Sequence, residues 1–215
     1  MEEISEHRID KWETLMFTYE SALKEIATKI DILNNEFIKI HNYNPIEHVT
    51  SRIKSSESIV KKLKRHGLEV NMDNMQNCLS DIAGIRIVCS FTSDIYRIAD
   101  RISSQSDIQV LTVKNYIANP KPNGYKSYHM VVTIPIYLSD GPVDTKVEIQ
   151  IRTIAMDFWA SLEHKLRYKK DIPAETADAI ARQLQDCAEV VARTDKQMYD
   201  IRKQIEASGV KAGVE

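Results

Sequence analysis

The sequence predicts an α+β protein: one mixed sheet packed by helices, with helical extensions at both ends. Three observations predict it. Residues 6–41 contain no Pro or Gly and space their apolar side chains by three and four. A central stretch alternates short β-branched runs with helical runs and turn signals. Residues 174–207 then return to helical periodicity.

Taken in order, Trp12, Leu15, Met16, Tyr19, Leu23, Ile26, Ile30, Leu33 and Phe37 mark one amphipathic helix, with room for a single break. His41-Asn42-Tyr43-Asn44-Pro45 ends it. A second helix is expected from near Pro45 to about Arg65, closed by Gly67. After Asp81-Ile82-Ala83-Gly84, residues 85–91 read as a strand, 93–104 as a helix and 108–113 as a second strand. Residues 119–125 form a loop on turn chemistry alone. Strands at 127–136 and 146–152 follow, joined by a turn around Asp140-Gly141-Pro142. Helices at 155–168 and 174–207 complete the chain, and the tail VKAGVE is expected to fray. The organisation is an N-terminal helical extension (1–44), a central unit (45–170) and a C-terminal helical extension (171–215).

The bulk properties exclude several classes. With 215 residues, 43% hydrophobic, 28% charged and a formal net charge of −2, the chain has ordinary globular composition and no global basic field for a polynucleotide. Any anion binding must come from a local cluster of cations. Cys78, Cys89 and Cys187 form no CxxC pair, and their odd number argues for reduced, buried or half-buried thiols rather than a disulfide framework. The polar, acidic N-terminus lacks an apolar signal core, and no apolar run reaches membrane-span length. A soluble, cytoplasmic protein without membrane contact is expected.

Three constellations carry chemistry. Lys54, Ser58, Lys62 and Arg65, spaced by four, four and three, would share one face of the second helix, with Arg52 just before them and Ile59 and Leu63 turned to a core. Several cations and one hydroxyl along a line suit a polyphosphate, although such stripes are more commonly solvated faces. Asp81 precedes one strand, and Glu148 lies within another. Alternation puts Glu148, Gln150 and Arg152 on one face and Val147, Ile149 and Ile151 on the other. Two carboxylates from neighbouring strands would suit Mg²⁺, which takes one or two carboxylates plus substrate phosphates; the plainer alternative is an exposed face with an ordinary ion pair. Finally, Lys121-Pro122-Asn123-Gly124-Tyr125-Lys126-Ser127-Tyr128-His129 presents an aromatic ring beside cations at the mouth of a strand, which suits nucleobase stacking as well as a plain loop. Glu163 and His164 lie in a helix at a spacing that fits no metal-ligand motif.

Together these stretches resemble a known family. Asp81-Ile82-Ala83-Gly84-Ile85-Arg86-Ile87, Pro120-Lys121-Pro122-Asn123-Gly124-Tyr125-Lys126-Ser127, and Val147-Glu148-Ile149-Gln150-Ile151-Arg152-Thr153 followed by Phe158-Trp159-Ala160-Ser161-Leu162-Glu163-His164 resemble the synthetase domain of the RelA/SpoT homologue superfamily. The resemblance spans roughly residues 45–170. Short length and flanking helices are similar to the small alarmone synthetases; Ser21-Ala22-Leu23-Lys24-Glu25-Ile26 and Asn44-Pro45-Ile46-Glu47-His48 look closer to the RelP than the RelQ branch. The resemblance implies a nucleotidyltransferase-like core. It also implies transfer of pyrophosphate from ATP to the 3′ hydroxyl of GDP or GTP, with release of AMP. By position, Arg52 and Arg86 would sandwich adenine, and Lys54, Ser58, Lys62 and Arg65 would hold the ATP phosphates. Asp81 and Glu148 would ligate Mg²⁺, with Glu148 also the base. Tyr125 would stack on guanine, with Lys121, Asn123, His129, Gln150 and Arg152 around the acceptor. A homotetramer is implied as well, and the apolar stripes of the terminal helices are themselves a reason to expect subunit contacts.

None of the six histidines is followed by Asp, so the hydrolase domain of long family members is not expected. Thr112-Val113-Lys114-Asn115 stands where long members carry a charged acceptor signature, which leaves GDP against GTP open. Ala27-Thr28-Lys29-Ile30-Asp31-Ile32-Leu33-Asn34 lacks the basic pattern of the RelQ allosteric site. Two other classes compete: an RNA-binding module using the basic helix and the Tyr125 loop, and a nucleotidyltransferase that releases pyrophosphate.

Overall fold

The computed structural model describes residues 2–167 and 174–208. Among them the order is α1 (Glu2–His41), β1 (Ile46–Ile53), α2 (Ser56–Arg65), α3 (Met72–Cys78), β2 (Ala83–Cys89), α4 (Thr92–Ser103), β3 (Gln109–Asn115), β4 (Tyr128–Leu138), β5 (Gly141–Thr153), α5 (Ile154–Arg167) and α6 (Ala174–Ala207). The five strands form one mixed sheet in the order β1-β2-β5-β4-β3. Only β2 and β5 run parallel; the other three pairings are antiparallel.

The period-two pattern of the strands divides the sheet into an apolar and a polar face. Ile85, Ile87, Met130, Val132, Ile134, Val147, Ile149 and Ile151 point into one core, which α1 closes with Leu15, Tyr19, Ala22, Leu23, Ile26, Ile30 and Phe37. Each large side chain buried there contributes roughly 1.5–3 kcal/mol. α4 covers the same core with Ile95, Ile98 and Ile102. α1 runs unbroken and stops at Asn42, whose φ of 50° is left-handed, while Tyr43 N donates to Phe37 O (3.2 Å) to close the last turn. The opposite face carries the polar residues, and only part of it is roofed by helices α5 and α6.

α6 fastens to the core at its far end. Arg202 Nη1 donates to Tyr43 Oη at 2.5 Å, lies 3.5 Å from the buried Asp94, and its guanidinium sits 4.3 Å over the Tyr43 ring. At its near end α6 builds a second, smaller core: Leu184 and Ala188 pack with Trp159 and Ala160 of α5 and with Tyr125.

Several expectations are corrected. The helix expected from Pro45 is a strand up to Ile53, and the helix begins only at Ser56. Ile46, Val49, Thr50 and Ile53 favour extended backbone, and β1 pairs antiparallel with β2 through Arg52↔Gly84 and Thr50↔Arg86. Ser55, not Pro45, caps the helix, its side chain accepting from Ser58 N. Lys54 therefore lies off the helix whose face it was expected to share. α3 was not foreseen; Asn71 caps it by accepting from Asn74 N at 2.8 Å. Cys89 is buried, but Cys78 and Cys187 are exposed, and all three are free thiols. The expected stripe of α1 is spent on the chain's own core rather than left for a partner. The frayed tail and the helix end at residue 168 lie outside the described residues.

Candidate active site

The polar face of the sheet is ordered by register. Thr50 of β1 pairs with Arg86 of β2, Arg86 with Gln150 of β5, Gln150 with His129 of β4, and His129 with Lys114 of β3. One step along, Arg52, Gly84, Glu148, Val131 and Thr112 form the next row. Gly84 matters because it leaves the position between Arg52 and Glu148 without a side chain: a Cβ there would already touch Arg52 Cγ and Nε at 3.8 Å.

Two clefts open on this face. The first, about 150 Å³, is lined by Thr50, Ser51, Arg52, Gly84, Arg86 and Glu148. Arg86 is held by Asp157 (3.3 Å), and its buried Nε has no protein partner, so the wall keeps a spare donor. The second, about 400 Å³, is lined by Ser80, Thr112, Lys114, Tyr116, Lys121, His129, Lys146 and Glu148, among others. Glu148 belongs to both.

Around Glu148 runs a chain of hydrogen bonds. Gln150 Nε2 donates to Glu148 Oε2 at 2.8 Å, and Arg152 Nη2 donates to Gln150 Oε1 at 3.1 Å. The same Nη2 donates to Tyr125 Oη at 2.7 Å, and Arg152 Nη1 donates to Asp157 Oδ1 at 3.0 Å. Tyr125 Oη also meets His129 Nε2 at 2.8 Å, and His129 Nδ1 lies 3.6 Å from Glu148 Oε1. Burial pushes the Glu148 carboxyl up, as does the charge of Asp81, but His129 and Gln150 outweigh both and hold it below its ordinary value. It is an ionised acceptor at neutral pH.

Asp81 stands just before β2 and is gripped by two cations: Lys54 Nζ on Oδ2, and Lys62 Nζ 2.8 Å from Oδ1. Burial raises its carboxyl and the two lysines more than compensate, so it too sits below its ordinary value. The charge of Asp81 reaches Glu148: one carboxylate stands just before β2, the other within β5, the parallel neighbour of β2. Among the described residues no three His, Cys, Asp or Glu side chains gather into a cage. Asp81 is occupied by Lys54 and Lys62, so an ion held by the two carboxylates would need those lysines to give way to substrate phosphates. It would take its other ligands from phosphates and water, which is the habit of Mg²⁺.

The loop of residues 119–125 is held from both sides. Lys121 Nζ lies 4.8 Å over the Tyr116 ring and 4.7 Å over the Tyr125 ring. Asn123 accepts from Tyr125 N at 3.2 Å and donates to Glu163 Oε1 at 3.3 Å. Gly124, at φ 86°, presses against α6: a Cβ there would fall 2.5 Å from Ala188 Cβ.

Of the residues singled out by sequence, Lys54, Lys62 and Asp81 form one cluster, Tyr125, His129, Glu148, Gln150 and Arg152 another, and Arg52 and Arg86 line the first cleft. Ser58 joins the N-cap of α2, its Oγ accepting from Ser55 Oγ at 2.9 Å. Arg65 is exposed in the last turn, and no hydrogen bond or ion pair among the described residues joins it to the others. Lys114, Tyr116, Lys146, Asp157 and Glu163 were missed. Strand alternation from Glu148 could have found Lys146; the rest depend on pairing register and helix placement.

Residues 51–173 match the family model described as the region found in RelA / SpoT proteins. The chain is 44% identical over 200 residues to GTP pyrophosphokinase YwaC of Bacillus subtilis, covering 92% of this chain and 93% of the relative. It superposes on the crystal structure of small alarmone synthetase 2 from Bacillus subtilis with a TM-score of 0.79 and 43% identity, covering 90% of this chain and 99% of that one. The corresponding values for small alarmone synthetase 1 from Bacillus subtilis, bound to its product pppGpp, are 0.82, 35%, 92% and 99%.

Proposed function

The chain belongs to the RelA/SpoT family, and from that premise we propose that the two clefts meeting at Glu148 are its donor and acceptor sites. It is a GTP pyrophosphokinase, a small alarmone synthetase that makes (p)ppGpp. The 3′ oxygen of GDP or GTP attacks the β-phosphorus of ATP. The bond from that phosphorus to the oxygen bridging to the α-phosphate breaks, AMP leaves, and the hydroxyl proton passes to a base. The observation that carries the site reading is that one ionised carboxylate, Glu148, lines both clefts.

In this reading Arg52 and Arg86 flank the adenine across the bare position at Gly84, and Lys54, Ser58, Lys62 and Arg65 take the ATP phosphates. Tyr125 stacks on guanine, with Lys121, Asn123, His129, Gln150 and Arg152 fixing the loop and the acceptor. Glu148 takes the proton from the 3′ hydroxyl, helped by the hydrogen bonds that keep it ionised. Asp81 and Glu148 would hold Mg²⁺, which when bound would neutralise phosphate charge. Binding of ATP phosphates draws Lys54 and Lys62 away and leaves the Asp81 carboxylate free. Transfer of this kind is mostly positioning and charge neutralisation, which these residues provide.

No described helix is long and apolar enough to cross a membrane, in keeping with work in the cytoplasm. A homo-oligomer, a tetramer by the earlier expectation, is supported by α5: Ile154, Phe158, Leu162 and Leu166 recur every fourth residue and are all exposed. The test of the catalytic assignment is Glu148→Gln. Loss of proton transfer alone should lower kcat by about 10²–10⁴-fold, with unchanged circular dichroism. Near-normal turnover in the folded variant would remove Glu148 from the mechanism.

A further inference from the structure

Lys146 lies two residues before Glu148 on β5, so its side chain stands on the same polar face and lines the acceptor cleft. Its ammonium is not turned to that cleft's other cations. Nζ donates to the main-chain oxygens of Gln76 (2.9 Å) and Asn77 (3.1 Å). These carbonyls belong to the last turn of α3, where helix oxygens lack internal partners and the negative end of the helix gathers. From there the chain runs through Leu79, buried in the core and bonded from its N to Met75 O (3.4 Å), and through Ser80 to Asp81. A lysine on the strand that bears Glu148 thus grips the segment that bears Asp81.

We propose that Lys146 is a positioning residue that sets the spacing of the Asp81 and Glu148 carboxylates, and through it their joint grip on the divalent cation. The inference rests on the reading of those two carboxylates as metal ligands. Two of the three ammonium donors are spent on carbonyls, which leaves one for any other partner. A cation that served chiefly as an acceptor-phosphate ligand would not be committed in this way. Arg offers two parallel donors for two carbonyls and should keep the brace; Met fills the space without any donor.

The experiment measures Mn²⁺ binding by electron paramagnetic resonance, in the presence of α,β-methylene-ATP, for the wild type, Lys146→Met, Lys146→Arg and Asp81→Asn. The Michaelis constants for ATP and GDP are measured on the same proteins. Lys146→Met should weaken Mn²⁺ by about 10–100-fold, as loss of a group orienting a metal ligand does. It should lower kcat and leave the GDP constant unchanged, and Lys146→Arg should recover most of the loss. Should Lys146→Met fail to fold, Lys146→Gln carries the same test. A raised GDP constant with unchanged Mn²⁺ binding would make Lys146 a phosphate ligand and overturn the proposal. A lowered melting temperature with unchanged metal binding and kinetics would overturn it too. Undiminished Mn²⁺ binding in Asp81→Asn would instead overturn the metal reading itself, whatever Lys146 does.

Discussion

Tyr125 shows how much one residue is asked to do. Its ring packs with Leu184 and Ala188 of α6, lies 4.7 Å from the Lys121 ammonium and 5.2 Å from the Arg152 guanidinium, and its hydroxyl joins Arg152 and His129. Tyr125→Phe keeps the ring and loses the two hydroxyl bonds; Tyr125→Ala loses both. Base–aromatic stacking of roughly 1–3 kcal/mol makes the expected rise in the acceptor's Michaelis constant for Tyr125→Ala about 5- to 150-fold, with the ATP constant unmoved. Steady-state kinetics against each substrate checks this, and an equal rise in both constants would end the stacking assignment. At this scale the polar face of β5 was legible, because Glu148, Gln150 and Arg152 alternate with Val147, Ile149 and Ile151 and a strand has no other way to place them. The clasp of Lys54 and Lys62 on Asp81 was legible only as a set of charges. Its geometry depends on where a strand and a helix from distant sequence come to rest.

At the scale of elements, the instructive case is β1. Lys54, Ser58, Lys62 and Arg65 have helical spacing, yet the helix starts at Ser56. A four-residue rhythm of cations is blind to the boundary, whereas the β-branched side chains before Ile53 and the Ser55 cap carried the signal. α6 offers two tests. Gly124 touches it so closely that Gly124→Ala should push the acceptor loop off its seat, through both the 2.5 Å approach to Ala188 and the left-handed φ. The expected outcome is a raised Michaelis constant for GDP with little change for ATP, partly restored by adding Ala188→Gly. No effect of Gly124→Ala would show that the loop does not rely on α6.

The second test is the seam between α6 and β5, where Thr153 Oγ1 donates to Asp195 Oδ2 at 2.8 Å. Burial raises the Asp195 carboxyl above its ordinary value, and the Thr153 bond and Lys126 only partly offset it. The folded protein therefore holds that proton more tightly than the unfolded chain does. Stability falls as pH rises from the ordinary carboxylate range through the raised folded value, and the ionised group remains a cost above it. Asp195→Asn keeps an acceptor for Thr153 and should raise the melting temperature at neutral pH, the gain fading on acidification. A gain that grew toward acid pH would contradict the direction of the shift.

Over the whole molecule, α1 closes the sheet's apolar face with Leu15, Tyr19, Ala22, Leu23, Ile26, Ile30 and Phe37. The periodicity of this helix was plain in the sequence. Its destination was not, because an amphipathic stripe looks the same whether it covers the chain's own sheet or a partner. A chain lacking residues 1–40 is expected not to fold, as judged by near-ultraviolet circular dichroism; a folded, soluble truncation would contradict this. On the proposal that the exposed α5 stripe makes the subunit contacts, Phe158→Glu with Leu162→Glu should bring the light-scattering mass down to that of one chain without loss of fold.

The central claim is that one carboxylate joins a donor cleft and an acceptor cleft for pyrophosphate transfer. ATP labelled at its β-phosphorus, incubated with GDP, Mg²⁺ and the purified protein and resolved by ion exchange, tests it most directly. The account predicts that the label moves into ppGpp while unlabelled AMP appears in equal amount, and that Glu148→Gln forms neither. Label released as free pyrophosphate, with the nucleoside monophosphate joined to an acceptor, would contradict it.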